Sequence, residues 1–158
     1  MSLVLTATDT FTTPAPPAAV WAALASPHRW PETLTDLREG VIEPPGLLRE
    51  GAVIRTFAKP GTRAIDMTYR VALAVPEQRL AFSTDGAAWR GETAYTIEAD
   101  GNTRVTLSVA IEPKGFWPRL AVRLWRTVYR EQLAANTRPR MLAMLKLAET
   151  IAREEARI

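Results

Sequence analysis

Two tyrosines, a tryptophan and a threonine are the residues of this chain best suited to chemistry on a bound molecule. Tyr69 lies in a segment that alternates apolar with polar residues, and Trp89, Thr93 and Tyr95 share one face of another. Aromatic walls with a few hydroxyls can bind an apolar ligand and orient one polar group. A tyrosine can also polarise or protonate a carbonyl, so Tyr69 and Tyr95 are catalytic candidates. The alternative is that these side chains only pack the core.

Arg55 is the remaining catalytic candidate. It alternates with Val53 and Phe57, and if these three residues face inward, its guanidinium needs a carboxylate or an anionic ligand group as a partner. If the strand instead turns Ile54 and Thr56 inward, Arg55 is solvated, which is the interpretation we favour.

Several kinds of chemistry are excluded by what the sequence lacks. Without cysteine it has no disulfide, thiol nucleophile or cysteine-based metal site. The single histidine, His28, falls in a loop between two short predicted helices, where a solvated side chain is a simpler interpretation than a general base. No nucleotide-binding, dinucleotide-binding or zinc motif occurs. We therefore expect neither a metal nor a cofactor.

Turn residues divide the chain into elements that must position these candidates. A threonine-rich strand at 3–13 precedes a helix that starts at the prolines 16–17, and a second short helical turn surrounds Trp30. Connections between the later strands are short, which favours antiparallel neighbours. These strands, each ended by proline, glycine, aspartate or asparagine, are predicted at 36–43, 52–58, 63–75, 80–84, 89–99 and 104–111.

The alternation also predicts which strand residues face the interior. In 63–75 the odd-numbered residues are the apolar ones, so Ile65, Met67 and Tyr69 are expected to face inward together with the odd residues after them. In the later strands the expected inward set is Leu80, Phe82, Trp89, Gly91, Thr93, Tyr95, Ile97, Val105, Leu107, Val109 and Ile111.

A helical segment from Phe116 to Ala156 closes the chain, and we predict a bend at Pro139 because a straight helix of this length would overreach a compact domain. At helical spacing its first half has one apolar stripe, expected to cover the interior, and one basic stripe opposite to it. The apolar stripe includes Trp117, Leu124 and Val128, and the basic stripe consists of Arg119, Arg123, Arg126 and Arg130.

The positive charge of the protein is concentrated on this helical segment. Between Lys114 and Lys146 there are eight basic residues and one acidic residue, Glu131, whereas the rest of the chain is acidic and the total is +3. The basic stripe is interpreted as a solvated helix face, as a contact for an anionic membrane surface or an acidic protein, or as a nucleic-acid contact. Nucleic acid is the least expected because the body is acidic and no binding motif is present.

The order of predicted elements (a strand, two short helices, six strands and a long helix) and several short motifs resemble the START-like superfamily, also called the Bet v 1 or helix-grip proteins. They look most like the polyketide cyclase/dehydrase and lipid-transport branch, and the resemblance covers nearly the whole chain. Ala18 departs from the pattern, in which an acidic residue is frequent at the helix start, and the basic stretch 115–130 has no counterpart in it. The matching residues are 15–21, Trp30-Pro31-Glu32, Glu50-Gly51, 75–82, 95–98, 101–106 and 145–149.

The resemblance implies an α+β helix-grip domain spanning 1–158, in which a curved antiparallel sheet of about seven strands wraps a long C-terminal helix. It implies a cavity that holds a small hydrophobic, polyketide-like or lipid-like ligand. A cofactor-independent cyclase, aromatase or dehydratase is the alternative, and an interaction module using the basic helix face is a second one. We expect a cytoplasmic protein. The residues expected to line the cavity are Met67, Tyr69, Trp89, Thr93, Tyr95, Trp117, Leu124 and Val128.

Overall fold

The computed structural model describes residues 3–157, which form one sheet and a set of helices on its inner side. A 3₁₀ turn, Pro27–Glu32, follows the first helix. The strands are β1 (Leu5–Thr13), β2 (Leu37–Glu43), β3 (Val53–Ala58), β4 (Met67–Val75), β5 (Arg79–Asp85), β6 (Trp89–Asp100) and β7 (Asn102–Pro113), and the helices are α1 (Pro17–Leu24), α2 (Phe116–Leu124) and α3 (Arg126–Ala156).

The seven strands are antiparallel throughout and lie in the order β1-β7-β6-β5-β4-β3-β2. Strands β2 to β7 therefore form a meander of chain neighbours, and β1 closes the sheet beside β7. The order of elements and the α+β helix-grip architecture predicted from the sequence are confirmed. Among residues 3–157, no helix is long and apolar enough to cross a membrane.

The core lies between the concave face of the sheet, α1 and the second half of α3. Val20 and Leu24 of α1 are fully buried, and so are Met141 and Leu147 of α3. Trp30 is also buried, and its indole donates a hydrogen bond of 2.9 Å to the carbonyl oxygen of Ala23. Burying an apolar side chain of this size stabilises the fold by about 2 kcal/mol, so this cluster holds the helices on the sheet.

The glycine at position 40 allows the 3₁₀ turn to lie directly on β2. A Cβ atom there would collide with the backbone carbonyl of Pro27, which cannot move without moving the whole turn. Gly40 is therefore required for close approach, and it brings Trp30 into the core.

The predicted register is confirmed for β5, β6 and β7 and only partly for β4. Val71 is buried as expected, but a bulge between Val71 and Leu73 shifts the pairing with β5. Beyond the bulge Ala74 packs against the core opposite Leu80, so the odd-numbered set no longer faces inward. Ile65 precedes β4 and is 68% exposed, so its predicted inward orientation is wrong.

The long helical segment is interrupted at Trp125, whereas at Pro139, where a bend is predicted, the helix continues. Trp125 has a non-helical backbone (φ −125°, ψ 40°), whereas Pro139 lies inside the continuous helix α3. Proline removes one backbone hydrogen bond, to the carbonyl of Ala135. Both Pro139 and Ala135 are exposed, so water can satisfy that carbonyl.

Candidate functional site

Three aromatic rings from adjacent strands meet on the concave face of the sheet. The rings of Tyr69 and Phe82 have centroids 5.9 Å apart, and those of Phe82 and Tyr95 lie 6.1 Å apart in an edge-to-face arrangement. Strand pairing produces this cluster, because Phe82 sits opposite Val71 and Thr93 in the register of the sheet. The tyrosines therefore flank a buried phenylalanine.

The hydroxyl groups of these two tyrosines have no hydrogen-bond partner among residues 3–157. A buried hydroxyl without a partner is costly, so such groups normally contact water or a ligand. Within the described part of the chain, Thr33 Oγ1 is the only unpaired side-chain polar atom that is sealed from solvent. The hydroxyls of Tyr69 and Tyr95 therefore open onto accessible space.

Tyr95 is kept protonated by its surroundings. Burial, and to a lesser extent the nearby Tyr69, raise its pKa to about 12, while the guanidinium of Arg140 on α3 acts in the opposite direction. At neutral pH the Tyr95 hydroxyl is consequently a hydrogen-bond donor rather than a phenolate.

Trp89, Thr93 and Met67 occupy the same side of the sheet as the two tyrosines by register. Trp89 contacts Tyr129 of α3, with ring centroids 5.8 Å apart, and thus joins the sheet to the first half of that helix. Thr93 is half-buried opposite Phe82, and Met67 is half-buried opposite the buried Thr56. The structure brings these predicted residues to one face, and their contact with a ligand stays a prediction.

Arg55 does not join this group. Ile54 and Thr56 are the buried residues of β3, so Arg55 lies on the outer face. Its Nε donates a hydrogen bond of 2.8 Å to the Glu43 carboxylate, and its side chain is 47% exposed. The interpretation of a solvated arginine is the one observed, and a catalytic role beside Tyr69 has no geometric basis.

The predicted apolar stripe of the C-terminal helices does not cover the interior. Trp117 is 74% exposed, Leu124 62% and Val128 48%. In α2 the single buried residue is Val122, which lies on a third face, between the predicted apolar and basic stripes. The expected inward orientation of Trp117, Leu124 and Val128 is therefore wrong.

The face that α3 turns to the interior begins with residues that lie outside both predicted stripes. Tyr129, Leu133 and Thr137 are each less exposed than their helical neighbours, and they continue at steps of four into the buried Met141. Extending the buried stripe of Met141 backwards by one turn at a time would have found them.

A charged group on β1 was missed as well. By register Asp9 lies opposite Leu107 on the concave side, and its carboxylate is 3.4 Å from Nη1 of Arg138. The Arg138 guanidinium also lies over the ring of Phe11, 5.7 Å from its centroid. This pair closes one edge of the space between sheet and helix.

Two depressions lie away from that space. One, of about 530 Å³, is a groove between the start of the described chain and α2, and the other, of about 310 Å³, lies against small side chains of β1, β5, β6 and β7. Within residues 3–157, no group of three or more His, Cys, Asp or Glu side chains is arranged to bind a metal ion.

Comparison with known proteins gives one family and a set of similar folds. The family model described as polyketide cyclase/dehydrase and lipid transport matches residues 5–138. No curated protein sequence matches the chain. Among solved structures, Ara h 8.0201 is 17% identical with a TM-score of 0.71, and the alignment covers 93% of this chain and 99% of the other.

Two aromatase/cyclase structures have the same fold. The di-domain ARO/CYC StfQ from the steffimycin biosynthetic pathway is 13% identical with a TM-score of 0.74, and the alignment covers 98% of this chain and 52% of StfQ. For the di-domain ARO/CYC BexL the identity is 18%, the TM-score 0.70, and the coverage 95% and 50%. The present chain thus spans about half of each of these proteins.

Proposed function

Because the chain belongs to the polyketide cyclase/dehydrase and lipid transport family, we propose that it binds a small hydrophobic ligand, polyketide-like or lipid-like, between the concave face of the sheet and α3. One observation carries the proposal. Tyr69 and Tyr95 flank Phe82 on that face, and neither hydroxyl has a hydrogen-bond partner among residues 3–157.

The aromatic cluster supplies both parts of such a site. The ring faces and edges provide apolar contact area, which dominates the binding of small molecules. The protonated hydroxyl of Tyr95 provides a donor for a carbonyl or hydroxyl oxygen of the ligand. A ligand that contacts both features is oriented as well as held.

The test uses two probes that differ in polarity, the hydroxyanthraquinone emodin and the fatty acid palmitate. Binding of emodin is followed by quenching of tryptophan fluorescence, since Trp89 lies on the same face as the tyrosines. Palmitate is followed by its displacement of emodin. Tyr95→Phe should weaken emodin binding about fivefold, because one hydrogen bond contributes about 1 kcal/mol.

Thr68→Val is the matched control. Thr68 is exposed on the outer face of β4, where it lies opposite Arg55, so loss of its hydroxyl should leave emodin binding within about twofold of that of the unmodified protein. Failure of the unmodified protein to bind both probes would overturn the proposal. So would equal effects of Tyr95→Phe and Thr68→Val on emodin binding.

A second candidate function is a cofactor-independent cyclase or dehydratase, and the position of the unpaired Tyr95 hydroxyl beside Phe82 on the concave face favours it. A hydroxyl with a pKa of about 12 is protonated at neutral pH and can donate to the carbonyl oxygen of a poly-carbonyl substrate. In an aldol closure a carbon between two carbonyls first loses a proton to solvent hydroxide. The resulting carbanion attacks the carbonyl carbon, the C=O π bond opens as the carbon–carbon bond forms, and the oxygen takes up the Tyr95 proton, which water then replaces. Loss of water then requires removal of a second proton from the neighbouring carbon.

The two functions are separated by a reaction assay. A linear poly-β-ketone thioester is incubated with the protein, and the cyclised products are compared by mass spectrometry and chromatography with those formed without protein. A cyclase gives a changed product ratio, and Tyr95→Phe lowers the rate about 100-fold, the usual contribution of one positioned acid. A product mixture identical to the protein-free reaction leaves binding as the function.

A further inference from the structure

The corner between α2 and α3 carries the largest exposed apolar cluster among residues 3–157. Of eight large hydrophobic side chains that are exposed in this part of the chain, five fall between 116 and 128. The rings of Phe116 and Trp117 contact each other edge-to-face with centroids 5.1 Å apart. The five residues, which we call the corner patch, are Phe116 (71% exposed), Trp117 (74%), Leu124 (62%), Trp125 (57%) and Val128 (48%).

This patch does not result from a disordered loop. Gly115, whose φ of +83° favours glycine, starts α2, and the buried Val122 fixes the helix on the body. The side chains of the patch are therefore held outward by a packed element. An exposed apolar cluster of this kind indicates an interaction site.

Arginines border the patch and have no acidic partner. Arg119, Arg123 and Arg130 are exposed and make no ion pair among residues 3–157. Arg119 and Arg123 lie one helical turn apart and line the groove of about 530 Å³, together with Phe116 and Leu120. Arg126, by contrast, donates a hydrogen bond to the backbone carbonyl of Val4.

We propose that the corner patch and these three arginines dock the protein on an anionic lipid membrane. Tryptophan, phenylalanine and leucine insert into the region between headgroups and acyl chains, and arginine binds lipid phosphates. On the solvent side of α2, Trp117 and Leu124 lie on one flank and Arg119 and Arg123 on the other, and Arg130 follows on α3. Helix α2 has nine residues, so it lies about 13 Å long in the plane of the membrane.

Charge and shape favour a membrane over a protein or nucleic acid. Nucleic acid would be bound by the arginines and would leave Trp117 and Leu124 in water. An acidic protein would need a surface shaped to fit both the patch and the groove beside it, whereas a lipid surface adapts to them. The proposal does not depend on a ligand in the interior, because neither the patch nor its arginines contact Tyr69, Phe82 or Tyr95.

The experiment is flotation of the full chain with vesicles. One set contains phosphatidylcholine alone, and the other contains equal molar parts of phosphatidylcholine and phosphatidylglycerol. We expect binding to the anionic set only, and its loss at about 0.5 M salt, where charges are screened within a few ångströms. The double variant Arg119→Gln, Arg123→Gln should bind about 30-fold more weakly, since each arginine near the surface contributes about fivefold.

Apolar insertion is tested by Trp117→Ser combined with Leu124→Ser. Both side chains are more than half exposed, so folding should be unaffected, while vesicle binding falls at least about tenfold through lost apolar burial. The matched controls are Leu47→Ser with Leu142→Ser, exposed apolar residues elsewhere, and Arg63→Gln with Arg79→Gln, exposed arginines elsewhere. Both controls should bind as the unmodified protein does.

Four results would overturn the proposal. The first is absence of binding to anionic vesicles, and the second is equal binding to neutral ones. The third is an equal loss in the control variants. The fourth is binding to polyglutamate that is as strong as binding to anionic vesicles and is unchanged in the variant Trp117→Ser, Leu124→Ser. That result would indicate an acidic protein as the partner. Emodin binding, measured in parallel, should be unchanged in the arginine variant, so a failure here is distinct from a failure of the proposed function.

Discussion

The second half of α3, from Met141 to Ile151, is packed against α1 and β1, whereas α2 and the first turns of α3 leave most of their apolar side chains in solvent. Both regions have apolar residues at helical spacing. The two regions differ in their neighbours. Helix α1 packs against the second half of α3, whereas among residues 3–157 no other helix covers α2 and the first turns of α3. An amphipathic pattern therefore indicates that a helix has an apolar face, and the neighbouring elements decide whether that face is buried.

The largest effect on stability is expected from a mutation in the packed second half of α3. Leu147 is fully buried, and Leu147→Ala should lower the free energy of unfolding by about 3 kcal/mol through lost burial and a residual cavity. Leu142 on the same helix is 50% exposed, so Leu142→Ala should change the free energy of unfolding by less than about 0.5 kcal/mol. Urea unfolding measures both. Equal effects would contradict the assignment of the buried face.

A smaller effect is expected in the first half of α3, which is less buried than the second. The contact between Trp89 and Tyr129 joins β6 to the first half of α3. A double-mutant cycle with Trp89→Leu and Tyr129→Leu should give a coupling energy of about 1 kcal/mol. Hydrogen exchange should be faster around Tyr129 than around Leu147 in the unmodified protein. A coupling energy near zero would show that the aromatic contact does not hold this half.

The smallest effect concerns the ion pairs that clamp the end of α3. Arg29 in the 3₁₀ turn lies 2.8 Å from Glu32 and 2.9 Å from Glu154. Hydrogen bonds from Arg29 lower the pKa of both carboxyls below the usual 4.5. A lowered pKa stabilises the fold above the pKa of the unfolded chain, and this stabilisation is lost as the pH falls through the folded value.

Arg29→Gln should therefore reduce stability at neutral pH, and its difference from the unmodified protein should shrink as the pH falls below about 4.5. Thermal unfolding across this range is the measurement. The pairs are solvent-accessible, so the change is small. Arg79→Gln removes an exposed arginine without an ion pair among residues 3–157 and should show no such pH dependence. A constant difference for Arg29→Gln would contradict the assigned cause.

Much of the fold and part of the site could be predicted from the sequence, for local reasons. Alternation in β6 and β7 correctly predicted the inward positions of Tyr95, Ile97, Val105 and Leu107, because strand geometry sends alternate side chains to opposite faces. The same rule failed beyond Val71, where a bulge offsets the count by one residue. No feature of composition or spacing marks that bulge.

The sequence by itself determined the element order, the two tyrosines of the inner face and the concentration of arginine near the C-terminus, since these depend on residue type and local periodicity. The tertiary structure alone decided which face of each helix is buried, that the interruption falls at Trp125, and that Arg55 pairs with Glu43. It also placed Trp117 and Leu124 in solvent beside Arg119. Those outcomes depend on which residues pack against each side chain, and these neighbours are distant in the sequence.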